Sequence, residues 1–180
     1  VRIKTQDNLE LHGLLYEPAK TKKVLIHIHG WTGNFYENLF IDYFANEVTK
    51  KRIAFLTYNN RGSGFITDYR KQNKYERHGG CLEKFEDCVL DINAAIAFLI
   101  KRGYTDIILQ GHSLGCQKIT YYKYKTKDKR VKKLVLIAPV DDVAYFKKIF
   151  DKDKEEKALR IAREMIKKGK EISEEQIAKY

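Results

Sequence analysis

The chain has 180 residues, is 43% hydrophobic, and carries 35 Lys+Arg against 24 Asp+Glu for a net charge of +11. That length supports one domain with a buried core and leaves little room for two. With 11 Gly, 2 Pro and no apolar run near the roughly 18–20 residues of a membrane span, disordered, collagen-like, repeat and helical membrane chains are excluded.

In chain order, residues 2–4 and 9–16 read as two short strands joined by the turn-forming Gln6-Asp7-Asn8. Residues 24–29 (VLIHIH) are rich in β-branched side chains and close on Gly30, the pattern of a buried strand. Residues 38–49 place apolar side chains at 39, 40, 43, 44 and 48, a helical period. A second buried strand, 53–58, runs into Asn59-Asn60-Arg61-Gly62-Ser63-Gly64, and the polar stretch from there to Gly79-Gly80 reads as a long loop. Phe85, Val89, Ile92, Ile96 and Leu99 then recur every three or four residues, predicting a helix that stops near Gly103. A strand at 106–110, a helix at 114–125 and a strand at 133–140 follow. Strands alternating with helices predict an α/β fold: a mostly parallel sheet, helices on both faces, and an antiparallel hairpin at the N-terminus.

Beyond residue 140 the character changes. Asp153 can cap a helix with Glu156 at its third position, and Ala158, Leu159, Ala162, Met165 and Ile166 form its apolar stripe up to Gly169. Ser173 and Gln176 open another capping box about two turns before Tyr180, and a capped helix ending so early predicts that the sequence is cut from a longer product. The first residues, Val1-Arg2-Ile3-Lys4, lack the apolar core of a signal peptide. Cys81, Cys88 and Cys116 are an odd number without a CxxC spacing, so they read as reduced thiols of a cytoplasmic protein.

The positive charge is uneven. From Lys118 to Lys133 there are eight basic residues and one acid, interleaved with Tyr121, Tyr122 and Tyr124. A basic-aromatic surface can bind RNA. Without a nucleic-acid motif the run reads instead as a helix end and turn kept soluble by lysines, and no nucleic-acid partner is expected.

Gly111-His112-Ser113-Leu114-Gly115 is a G-x-S-x-G. Alone it would occur by chance in roughly one chain of this size in twenty. Here it directly follows a strand and directly precedes a helix, where a nucleophile elbow must sit. The glycines leave room for a strained turn that lifts the serine oxygen clear of the sheet and aims the helix N-terminus at developing negative charge. His29-Gly30-Trp31-Thr32-Gly33 ends the first long buried strand and would bring a second N–H beside the serine. The two oxyanion donors expected are the backbone N–H groups of Trp31 and Leu114. His29, at the end of a buried strand, reads as a hydrogen-bonded scaffold residue rather than a base.

GHSLG, HGWTGN and NNRGSG on this strand order resemble the α/β-hydrolase superfamily over residues 1–140. Within it, GCLEKFEDCVLDINAAIAFL and GHSLGCQKITYY are similar to a serine-hydrolase-like family of uncharacterised function. The resemblance implies a catalytic Ser113 and a triad in the chain order Ser, acid, His. The sequence departs from that order: its five His residues, 12, 27, 29, 78 and 112, all precede Ser113. The expectation is that the strands bearing acid and base lie outside this sequence. Residues 1–140 would then be the N-terminal part of the hydrolase core and 141–180 the start of a helical cap. His78, on the loop after the second buried strand, is a weaker substitute base. Asp141 and Asp142 follow the last strand, a place that holds either the triad acid or a cap-lining residue. Cys116, one position past the elbow, reads as a small core residue.

The chemistry implied is hydrolysis of a small acyl ester or thioester, with no metal and no diffusible cofactor. Acyl transfer to another acceptor would use the same residues. A non-catalytic hydrolase-fold protein that binds a ligand or partner under its cap is the alternative from another class. Nothing in the sequence sets the oligomeric state.

Overall fold

The computed structural model describes residues 1–141 and, beyond them, Ala144, Lys148, Glu156, Lys157, Arg160, Ile161, Arg163, Glu164 and Lys167. It divides into two compact units, Val1–Pro139 and Val140–Tyr180. The first unit runs β1 (Arg2–Lys4), β2 (Glu10–Tyr16), β3 (Lys23–Ile28), α1 (Phe40–Lys50), β4 (Ala54–Tyr58), β5 (Thr67–Lys71), β6 (Lys74–His78), α2 (Cys88–Lys101), β7 (Asp106–His112), α3 (Leu114–Thr126) and β8 (Val131–Ile137).

Six strands form one sheet in the order β1-β2-β4-β3-β7-β8. β1 and β2 pair antiparallel, β2 joins β4 antiparallel, and β4, β3, β7 and β8 are parallel neighbours. The expected architecture of a mostly parallel sheet led by an antiparallel hairpin is therefore the observed one. Alternation along the strands feeds two cores. Val24, Ile26 and Ile28 of β3 face one way, with Leu56, Leu109, Ile92, Ile96 and Ile119, under α2 and α3. Leu25 faces the other way with Phe55 and Ile108, under Ile41 and Ala45 of α1. Each such side chain buried completely contributes roughly 1.5–3 kcal/mol of transfer free energy.

The stretch expected to be a long loop holds a hairpin instead. β5 and β6 pair antiparallel as a separate two-stranded sheet, with Lys71 opposite Lys74. Gln72 takes the left-handed turn position at φ 58°. No Gly marks that turn, and only Tyr69 of the hairpin is buried, so neither the turn residues nor the apolar alternation betrayed it.

In the second unit Asp141 Oδ1 accepts the Ala144 N–H at 3.0 Å, and the residues described from Ala144 onward are helical. Asp142 and the expected capping residues Asp153 and Ser173 lie outside the described residues. Among the described residues no helix is long and apolar enough to cross a membrane.

Candidate active site

β7 ends at His112 and α3 begins at Leu114, so one residue must reverse the chain. That residue is Ser113, at φ 52° and ψ −126°, a region that costs a non-glycine residue roughly 1–3 kcal/mol. The surroundings hold it there. A Cβ at Gly111 would land on the Gly115 carbonyl, and a Cβ at Gly115 would land on the Ile28 carbonyl, so both flanking positions exclude any side chain. Ser113 N–H donates to Ile137 O at 3.0 Å, and Ser113 O accepts the Cys116 N–H at 2.8 Å, tying the turn to β8 and to the first turn of α3.

The end of β3 closes on the same point. A Cβ built on Gly30 would lie 2.9 Å from Ser113 Cβ and 3.4 Å from Leu114 N, so the chain entering Trp31 passes in contact with the serine. Neither the Trp31 nor the Leu114 N–H has an acceptor among the described residues. The other end of the Gly30–Trp31 peptide is anchored twice. Gly30 O accepts the Gly33 N–H at 3.2 Å and pairs with His29 Nδ1 at 2.8 Å. Because a trans peptide is planar, holding its oxygen fixes the direction of the Trp31 N–H.

His29 is spent entirely on that scaffold. Its Nε2 accepts the Asn60 N–H at 3.0 Å, which assigns the ring proton to Nδ1 and makes the ring neutral. Burial, reinforced by the nearby Lys118 charge, pushes its pKa down to about 3. The sequence reading of His29 as scaffold agrees with this geometry.

Asn60 in turn joins this turn to α3. Its Oδ1 accepts from Gly62 N–H at 3.0 Å and from Lys118 Nζ at 3.1 Å, and its carbonyl accepts the Tyr69 hydroxyl at 2.6 Å. Lys118, counted above among the surface lysines, is fully buried, and its ammonium pairs with the Glu83 carboxylate. Sequence reasoning missed it because charge was counted rather than placed on a helix face; Lys118 shares its face with the buried Gly115 and Tyr122. Beside Asn60, Arg61 is buried and donates to Asp91 through its backbone N–H at 2.8 Å and its guanidinium at 2.8 and 3.0 Å. Asp7 and Asp87 reach the same guanidinium at 3.3 Å.

The remaining candidates fall elsewhere. His78 closes β6, with its ring 2.9 Å from Glu76 Oε1 and edge-on to Tyr69. The His112 ring packs against Phe40 at 5.2 Å, and His27 is buried beside Gln110. None of the five His rings is hydrogen-bonded to Ser113. Cys116 is a buried thiol 3.1 Å from Gly111 O, and burial pushes its pKa up, which leaves it a core residue. Asp141 is exposed and caps its own turn. Among the described residues no group of three His, Cys, Asp or Glu side chains could hold a metal ion. Trp31, exposed beside the Gly30 turn, stands edge-to-face with the exposed Phe65 at 5.8 Å. The indole N–H of Trp31 donates to Gly80 O at 2.9 Å, fixing the ring.

A family model described as the alpha/beta hydrolase fold matches residues 23–162. Among solved structures, the Est1E protein of Butyrivibrio proteoclasticus, with ferulic acid bound, is 23% identical with a TM-score of 0.58, over 74% of this chain and 50% of that one. The Pyrococcus furiosus esterase Pf2001 is 22% identical with a TM-score of 0.60, over 77% of this chain and 50% of that one. The alpha/beta hydrolase GrgF of Penicillium sp. sh18 is 19% identical with a TM-score of 0.68, over 96% of this chain and 56% of that one. The chain thus spans about half the length of the solved structures it matches. No curated protein matches it.

Proposed function

The chain belongs to the α/β-hydrolase fold family, and from that premise we propose that it contributes the nucleophile and oxyanion hole of a serine hydrolase acting on a small acyl ester or thioester. Ser113 Oγ attacks the acyl carbonyl, and the oxyanion that forms is met by the N–H groups of Trp31 and Leu114. The alcohol or thiol leaves, and water releases the acyl group from Ser113. The carrying observation is the strained serine at φ 52° between β7 and α3, with Gly30 pressed against it and the following Trp31 and Leu114 amides without acceptors among the described residues. A residue is held in such a conformation only where the fold over-determines it, and such strain gathers at working sites. The exposed aromatic pair of Trp31, next in the chain to Gly30, and Phe65 supports an acyl substrate.

A serine hydroxyl needs a base, and none of the five His rings is hydrogen-bonded to Ser113, so this reading takes its base from a His outside these 180 residues. In the same reading residues 1–140 are the N-terminal part of the core and 141–180 the beginning of a cap. The missing contact is also what favours the alternative, a hydrolase-fold protein that binds a ligand without turning it over. The test is hydrolysis of p-nitrophenyl acetate and butyrate by the gene's complete product. Turnover that falls at least about a thousandfold in Ser113→Ala supports the enzyme. Activity unchanged by that substitution, or ester binding without turnover, supports the alternative.

A further inference from the structure

The fold gathers basic residues that are scattered in the sequence. Strand register aligns the amino ends of the parallel strands: Val24 lies opposite Ala54, Lys23 opposite Asp106, and Ile107 opposite Val131. The four segments leading into them, 17–23, 47–53, 101–106 and 123–133, therefore share one edge of the sheet. They hold fifteen of the 35 basic residues and four of the 24 acidic ones. Twenty of each remain elsewhere, so the entire net charge of +11 sits on this edge. General lysine richness does not produce that separation.

The four acids are already matched. Glu47 pairs with Lys50 at 2.7 Å, Asp128 with Arg130 at 2.7 Å, Asp106 with Lys23 at 3.5 Å and Glu17 with Arg102 at 3.5 Å. Of the eleven cations left, Lys123 is half-buried over the carbonyls of Asp128 and Val131. The other ten are exposed, nine lysines and Arg52. Five cations of the edge, Lys20, Lys22, Lys23, Lys51 and Arg52, line a shallow concavity of about 390 Å³.

We propose that this edge docks the protein on an anionic lipid bilayer. Lysines act as point charges that add to attraction by a charged plane, whereas bidentate recognition of a base edge favours the planar arginine fork, and one unpaired arginine is present. Tyr124 is the exposed large aromatic of the edge among the described residues, too few for stacking a single strand. Helices α1, α2 and α3 end at this edge instead of lying across it, so none is presented to a groove. The four aligned strand ends give a broad row about 15 Å wide, suited to a flat partner. Ser113 follows the carboxyl end of β7, one strand length or about 20 Å away, so the docked protein turns its candidate active site toward water. The proposal does not depend on the hydrolase reading.

The experiment is co-sedimentation of the chain with vesicles of phosphatidylcholine containing about 30 mol% phosphatidylserine, against pure phosphatidylcholine, at about 0.1 M salt. Partition onto the anionic vesicles should exceed that onto neutral ones at least about tenfold, and should fall about tenfold at about 0.5 M salt. Two triple reversals from different segments, Lys20, Lys22 and Lys51→Glu and Lys127, Lys129 and Lys133→Glu, should each lower it at least about tenfold while the circular dichroism spectrum is unchanged. Reversing the exposed Lys4, Lys74 and Lys84, away from the edge, makes the same change in net charge and should alter partition less than about threefold. Equal loss in this last variant, a loss confined to the 127–133 triple, or equal binding to neutral vesicles overturns the proposal. Tighter binding to an RNA duplex of about 20 base pairs than to the vesicles at the same salt also overturns it and assigns the edge to nucleic acid.

Discussion

His27 and His29 are buried and uncharged, and a second proton on His29 would leave its Nε2 unable to accept the Asn60 N–H. Burial pushes His27 down to about 4, and burial with the Lys118 charge pushes His29 down to about 3. In the unfolded chain both titrate near 6.5. Between pH 6.5 and 4 the unfolded state therefore binds up to two protons that the folded state refuses, and stability is lost as pH falls through that window. Each ring costs about 1.4 kcal/mol per pH unit below 6.5, so about 2 kcal/mol per ring, and about 4 kcal/mol in all, should be lost between pH 7 and pH 5. Carboxylates held low, such as Asp128, where hydrogen bonds from Arg130 and Tyr122 outweigh burial and set the pKa at about 2, lose their contribution only below that range. Urea unfolding followed by circular dichroism at pH 7, 6 and 5 measures the loss directly. His29→Gln removes one titrating ring and should halve the pH-dependent part, whatever its effect at pH 7. A loss under about 1 kcal/mol in the parent chain, or an undiminished loss in His29→Gln, refutes the assignment of these rings as buried and neutral.

Three further expectations concern the elbow and its supports, all read by urea unfolding at pH 7. Ser113→Gly should stabilise the chain by about 1 kcal/mol, since glycine enters φ 52° freely and its added chain entropy offsets part of the relief; destabilisation would mean the turn is not strained. Gly115→Ala should cost at least about 3 kcal/mol, because its Cβ would land on the Ile28 carbonyl; a cost under about 1 kcal/mol would mean β3 and α3 are not pressed together there. Asp91→Ala should cost about 3–5 kcal/mol, because it strips three hydrogen bonds from the buried Arg61; a neutral result would mean Asp7 and Asp87 suffice.

The legible parts of this sequence were those where period and composition coincide with geometry. VLIHI and AFLTY are short β-branched and aromatic runs bounded by turn residues, and their side chains alternate between two apolar cores. The GHSLG glycines marked a turn whose need for bare backbone is now explicit in the crowding at Gly111 and Gly115. What stayed hidden depends on partners far apart in the chain. The β5–β6 hairpin turns on Gln72 in place of glycine, and it buries a single tyrosine. Lys118 looks like its exposed neighbours until Glu83 and Asn60 are brought to it from other loops. The charged edge is invisible as a unit because its four segments are separated by whole strands and helices, and only parallel register aligns them.

The central claim is that Ser113 is a nucleophile, and the measurement that tests it most directly is fluorophosphonate labelling of the gene's complete product with the modified residue mapped by mass spectrometry. Ser113 should be the one residue modified, and Ser113→Ala should abolish the label in folded protein. A label on any other residue, or one that persists in Ser113→Ala, would contradict the account.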